Sequence, residues 1–89
     1  MLRILLAEDN PTTQSLVSVI MELMGFDLTI VENGQAAVEF LEKEVVDLVL
    51  MDCQMPQMDG FKATAQLRTK GIETPVVALT ASVREEDKE

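Results

Sequence analysis

The stretch "VVDLVLMDCQMPQMDG", residues 45–60, decides how this chain is read. It begins as an almost continuous apolar run and ends that run on Asp52. A lone cysteine, Pro56, Asp59 and Gly60 follow, and a helix-like run, "FKATAQLR", leads out. An apolar run without polar alternation marks a strand covered on both faces, as in a parallel sheet. The puzzle is why such a strand should deliver an acid.

Leu2 to Ala7 is a second run of the same kind, followed by "EDNP". Asn10 suits a helix N-cap and Pro11 the first helical position. Leu16, Val19, Ile20 and Leu23 recur at helical spacing, and Gly25 fits the left-handed residue that ends a helix. Leu28 to Val31 reads as a strand and "ENG" as a turn. Ala36, Ala37, Phe40 and Leu41 then form an apolar helical stripe, with Glu39, Glu42 and Lys43 outward. Asp47 to Met51 is the third strand. Residues 60–69 read as a helix with a weak stripe of Phe61, Ala65 and Leu67. Pro75 starts a fourth strand, "VVALTA", and Ser82 is a candidate N-cap for a fourth helix in the tail "SVREEDKE". Strands and helices alternate throughout, which implies a parallel sheet with right-handed crossovers.

Bulk properties narrow the function. The 89 residues allow one domain. Apolar residues make up 47% and aromatic residues 3%, so the core is aliphatic. A net charge of −9 argues against nucleic acid as a direct partner and is compatible with a bound cation. One cysteine permits no internal disulfide. No apolar run reaches the length of a membrane-spanning helix, and the acidic start is unlike a signal peptide. A cytoplasmic location is therefore expected. The chain contains no histidine, which excludes histidine catalysis and excludes this chain as a phosphohistidine donor.

The acids gather in one place. Glu8 and Asp9 follow strand one, Asp52 follows strand three and Thr80 follows strand four. Open α/β sheets bind ligands at the carboxyl ends of their strands, and a strand order of 2-1-3-4 makes strands one and three neighbours at the crevice. At an effective dielectric of about 20, two like charges about 4 Å apart repel by about 4 kcal/mol. A divalent cation relieves that, and an oxygen-only donor set suits Mg²⁺. An aspartate can attack a phosphoryl group and carry it as an acyl phosphate. Singly, each residue has a plainer reading: acids after strands are often caps or loop surface, Thr80 a turn residue, and Cys53, Met55 and Met58 packing side chains. Their conjunction on three strands of one alternating pattern favours a site.

The sequence resembles the receiver domain of two-component response regulators. "ILLAEDN" is similar to the family's first-strand acid pair, "DLVLMDCQMPQMDG" to its phosphoacceptor segment and "PVVALTA" to its fourth strand with a hydroxyl at the end. The wording looks most like receivers carried by hybrid sensor kinases. The resemblance covers almost the whole chain and implies a flavodoxin-like fold. It implies that Asp52 accepts a phosphoryl group from the phosphohistidine of a histidine kinase or histidine phosphotransfer protein. Asp9 and Asp52 would ligate Mg²⁺, with Glu8 acting through water or by holding the site, and Gln54 through its backbone carbonyl. Thr80 would hydrogen-bond the phosphoryl group. Pro56 and Gly60 would shape the loop, and Asp59 would cap the third helix.

The chain departs from the family's pattern at its end. A fifth strand and fifth helix are missing, so residues 1–89 read as a single incomplete receiver domain. The family's lysine, at the end of strand five, has no counterpart here; Lys88 comes too early. Losing one such donor typically costs on the order of 10² to 10³ in rate. Without the fifth helix, part of strands three and four would expose apolar side chains, and a fragment that self-associates through that face is expected. The competing reading is a receiver-like binding or regulatory module that does not turn over phosphate. Any catalysis would be limited to self-phosphorylation and dephosphorylation. A hydrolase forming an aspartyl phosphate ranks lower, because Gln54 stands where a second acid is needed.

Overall fold

The computed structural model describes residues 2–52 and 60–79. The elements are β1 Arg3–Ala7, α1 Pro11–Leu23, β2 Asp27–Val31, α2 Gly34–Lys43, β3 Leu48–Asp52, α3 Gly60–Thr69 and β4 Val76–Leu79. All four strands pair in parallel in the order β2-β1-β3-β4, as the alternation and the resemblance led us to expect.

Local chemistry sets most boundaries. Asn10 is extended, and its Oδ1 accepts the amide hydrogens of Thr12 at 2.8 Å and Thr13 at 3.3 Å. Pro11 occupies the first turn, where a missing N–H costs nothing. Gly25, just past the end of α1, has φ +79°, a conformation that side chains with a Cβ rarely adopt. "ENG" is more than a turn: Asn33 caps α2 by accepting the Ala36 amide at 2.7 Å, and Gly34 is already helical. The third strand begins and ends one residue later than its apolar run, so Asp52 belongs to it. Pairing with β4 draws Asp52 in, because Asp52 and Leu79 are partners across the ladder. Among the described side chains of α3 the buried positions are Ala63 and Leu67, one turn apart, whereas Ala65 is exposed; the side chain of Phe61 lies outside the described set. The fourth helix expected from Ser82 lies outside the described residues.

The sheet has two unlike faces. Side chains alternate along a strand, so Leu5 and Ala7 of β1 share a face with Val49 and Met51 of β3. These join Ala37, Val38 and Leu41 of α2, Val46, and Ala63 and Leu67 of α3 in one closed aliphatic cluster. Ile4 and Leu6 point the other way and are also buried. On that side α1 packs mainly on β2 and has no buried residue of its own. Its Leu16, Val19, Ile20 and Leu23 are 60%, 54%, 42% and 82% exposed, and Val77, which shares this face, is 48% exposed.

At the amino ends of the strands, Arg3 binds the connection between α2 and β3. Its amide donates to Asp47 Oδ2 at 2.8 Å, and its carbonyl accepts the Asp47 amide at 2.8 Å. Its guanidinium donates to the Val45 carbonyl at 2.8 Å and lies 3.6 Å from Glu44. Among the described residues no helix is long and apolar enough to cross a membrane.

Candidate functional site

Strand register brings the acids level. Ile4 to Ala7 pair one-to-one with Leu48 to Met51. Continuing the same offset by one residue sets Glu8 opposite Asp52, with Asp9 just beyond. The structure accordingly gathers Glu8, Asp9 and Asp52, whose nearest ligating carboxylate oxygens all lie within 4.8 Å of one another. Glu8 is only 3% exposed, Asp52 is half-buried and Asp9 is exposed.

Glu8 is held firmly for so polar a residue. Its amide donates to the Val31 carbonyl at 3.0 Å, extending the β1–β2 ladder beyond Ala7. Its carboxylate Oε2 accepts the Asn10 amide at 3.1 Å. Its carbonyl accepts a hydrogen bond from the side-chain amide of Gln14. Burial pushes the Glu8 carboxyl above its ordinary value of 4.5; the Asn10 hydrogen bond opposes this, while the charge of Asp52, a shared hydrogen bond with Asp52 and the charge of Asp9 add to it. Buried acid beside two further acids is an arrangement that a hard cation stabilises, and every side-chain donor in the set is an oxygen.

All three acids singled out in the sequence therefore meet. Gly60 opens α3 as expected. Gln54, Pro56, Asp59 and Thr80 lie outside the described residues. The second use of Asn10, its amide bond to Glu8, was not readable from its capping role, and Gln14 carried no signal at all in the sequence pattern.

The family profile described as the response regulator receiver domain matches residues 4–89. The chain belongs to this family. This receiver is 44% identical over 91 residues to the sensor protein GacS of Pseudomonas syringae pv. syringae, an alignment that takes in 97% of the chain and 10% of that protein. It is 40% identical over 100 residues to hybrid signal transduction histidine kinase B of Dictyostelium discoideum, covering 98% of the chain and 5% of that protein. The receiver thus spans a tenth or less of these curated relatives. Among solved structures it matches the receiver domain of a sensor histidine kinase from Pseudomonas aeruginosa PAO1 with TM-score 0.87 and 37% identity, over 98% of this chain and 73% of that one. That crystal structure has a magnesium ion coordinated in its active site cleft.

Proposed function

We propose that this receiver of two-component signalling accepts a phosphoryl group on Asp52, in an Mg²⁺-dependent step, from the phosphohistidine of a histidine kinase or histidine phosphotransfer protein. The observation that carries the reading is the meeting of Glu8, Asp9 and Asp52 within 4.8 Å at the carboxyl ends of β1 and β3. Asp9 and Asp52 would hold the ion, with Glu8 fixed behind them, and the backbone carbonyl of Gln54 is proposed as a further ligand. When bound, the ion supplies positive charge that offsets the three acids and the phosphoryl oxygens.

The chemistry of the chain itself rests on Asp52. One carboxylate oxygen forms a bond to phosphorus as the P–N bond to the donor's imidazole breaks. The imidazole nitrogen leaves with the electron pair and takes a proton. Leu79 pairs with Asp52 in the sheet, and Thr80 follows Leu79 in the chain; its hydroxyl is proposed to donate to a phosphoryl oxygen. Pro56, Asp59 and Gly60 are proposed to shape the segment after the acceptor.

The test incubates the chain with Mg²⁺ and a small acyl phosphate and follows intact mass. We expect a gain of one phosphoryl group that hydroxylamine removes and that Asp52→Asn abolishes. A gain that survives Asp52→Asn would refute the assignment. No gain in a wild-type chain that binds Mg²⁺ would favour the non-phosphorylating module instead.

A further inference from the structure

Gln14 is bonded twice across the turn that carries the acid pair. Its own amide donates to the Asn10 carbonyl at 2.9 Å, the first bond of α1. Its side-chain amide reaches back six residues and donates to the Glu8 carbonyl. Asn10 in turn donates to the Glu8 carboxylate and accepts two amides of the first helical turn. Glu8 and Asn10 are thus both anchored to the start of α1, and Asp9 is the one residue between them. Beside these bonds α1 packs on β2, although no residue of the helix is fully buried.

We infer that Gln14 is a positioning residue for the ion: it sets the backbone of Glu8–Asp9 through the Glu8 carbonyl and thereby tunes Mg²⁺ affinity. The inference rests on the metal reading proposed above. Its physical basis is that a carboxylate site holds a small hard cation only when its oxygens stay near octahedral positions. A strand-to-helix turn has little to fix it but hydrogen bonds, and removing the amide leaves the Glu8 carbonyl without this donor and lets the turn relax. Loss of an outer hydrogen bond that orients metal ligands typically weakens binding about 10- to 100-fold. Gln14 acts through main chain, not through a ligating side chain, so about tenfold is expected.

The experiment compares wild type, Gln14→Met and Ser18→Ala by calorimetric titration with Mg²⁺, and by melting in chelator and in excess Mg²⁺. Methionine keeps the length and helix preference of glutamine but has no donor. Ser18 lies one turn along α1, beside Gln14 and away from the acids. We expect about tenfold weaker binding for Gln14→Met, a smaller Mg²⁺-induced rise in melting temperature, and unchanged values for Ser18→Ala. A lower melting temperature in chelator with unchanged affinity would mean a purely structural role and overturn the inference. A wild type that binds no Mg²⁺ would overturn the metal reading itself, which keeps the two failures distinct. Should Gln14→Met not fold, Gln14→Asn decides: its amide falls one methylene short, so it must also bind Mg²⁺ more weakly, and wild-type affinity would overturn the inference.

Discussion

The two faces of the sheet are made from the same aliphatic residues and are held by different means. Under α2 and α3, Leu5, Ala7, Val49 and Met51 meet Val38, Leu41 and Leu67 in a cluster closed to water. Under α1, among the described residues, only Ile4 and Leu6 of the strands are fully covered, and the helix above them keeps its leucines in solvent. One face is therefore stabilised by burial. The other is covered only in part, with caps and hydrogen bonds holding both ends of α1, and the acid pair sits at the amino end.

The largest effect should come from the closed face. Leu5→Ala removes a fully buried side chain and should cost about 2–5 kcal/mol in urea unfolding. A cost under about 1 kcal/mol would mean that the cluster is looser than its burial implies. Next comes the rim shared by both faces. Folded Glu8 holds its proton to higher pH than the unfolded chain does, because burial and its acidic neighbours raise it above 4.5. The stability this contributes is present below that ordinary value and is lost as pH rises through the raised one. In chelator, Glu8→Gln should therefore melt higher than wild type near neutral pH and lose less on going from acid to neutral. A wild type that gains on the variant over that range would contradict the assigned shift.

The third test separates the faces directly. Asn10→Ala and Asn33→Ala each remove an N-cap, worth about 1 kcal/mol. Because α2 is fastened by Ala37, Val38 and Leu41, losing its cap should leave its amides protected in hydrogen exchange. Losing the α1 cap should open the first turns of α1 and loosen the Glu8 segment with them. Equal protection in the two variants would erase the distinction. The smallest effect belongs to the open face: Leu23→Ser, at a position 82% exposed, should change stability by no more than about 0.5 kcal/mol.

Much of this was legible in the sequence where the deciding chemistry is local. Asn10, Pro11 and Gly25 mark the ends of α1 by hydrogen bonding and backbone preference alone, and the structure uses all three in that way. Alternating strands and helices gave the sheet its order once the family resemblance was added. What escaped is what depends on distant partners. Asp52 was counted as the residue after its strand because it is polar, yet its ladder to Leu79 makes it part of β3. The stripe of Leu16, Val19, Ile20 and Leu23 shows which side of α1 is apolar, but a 3.6-residue period carries no information on what covers that side. The same holds at the site. Its three acids could be picked out by chain position, while the burial of Glu8 and its bond from Gln14 arise only when β1, β2 and α1 come together.

The clamp around Arg3 has a reach beyond its own end of the sheet. Strand pairing has a period of two residues, and a slip of one would carry β3 about 3.3 Å along β1 and turn its side chains to the opposite face. Arg3 and Asp47 exchange two hydrogen bonds at the mouth of that ladder, so the count from Ile4–Leu48 upward starts from a fixed mark. Four paired residues later it delivers Glu8 and Asp52 to the same height. Arg3 is in effect the zero of a ruler: it touches none of the three acids, yet it sets where along the sheet they come into line.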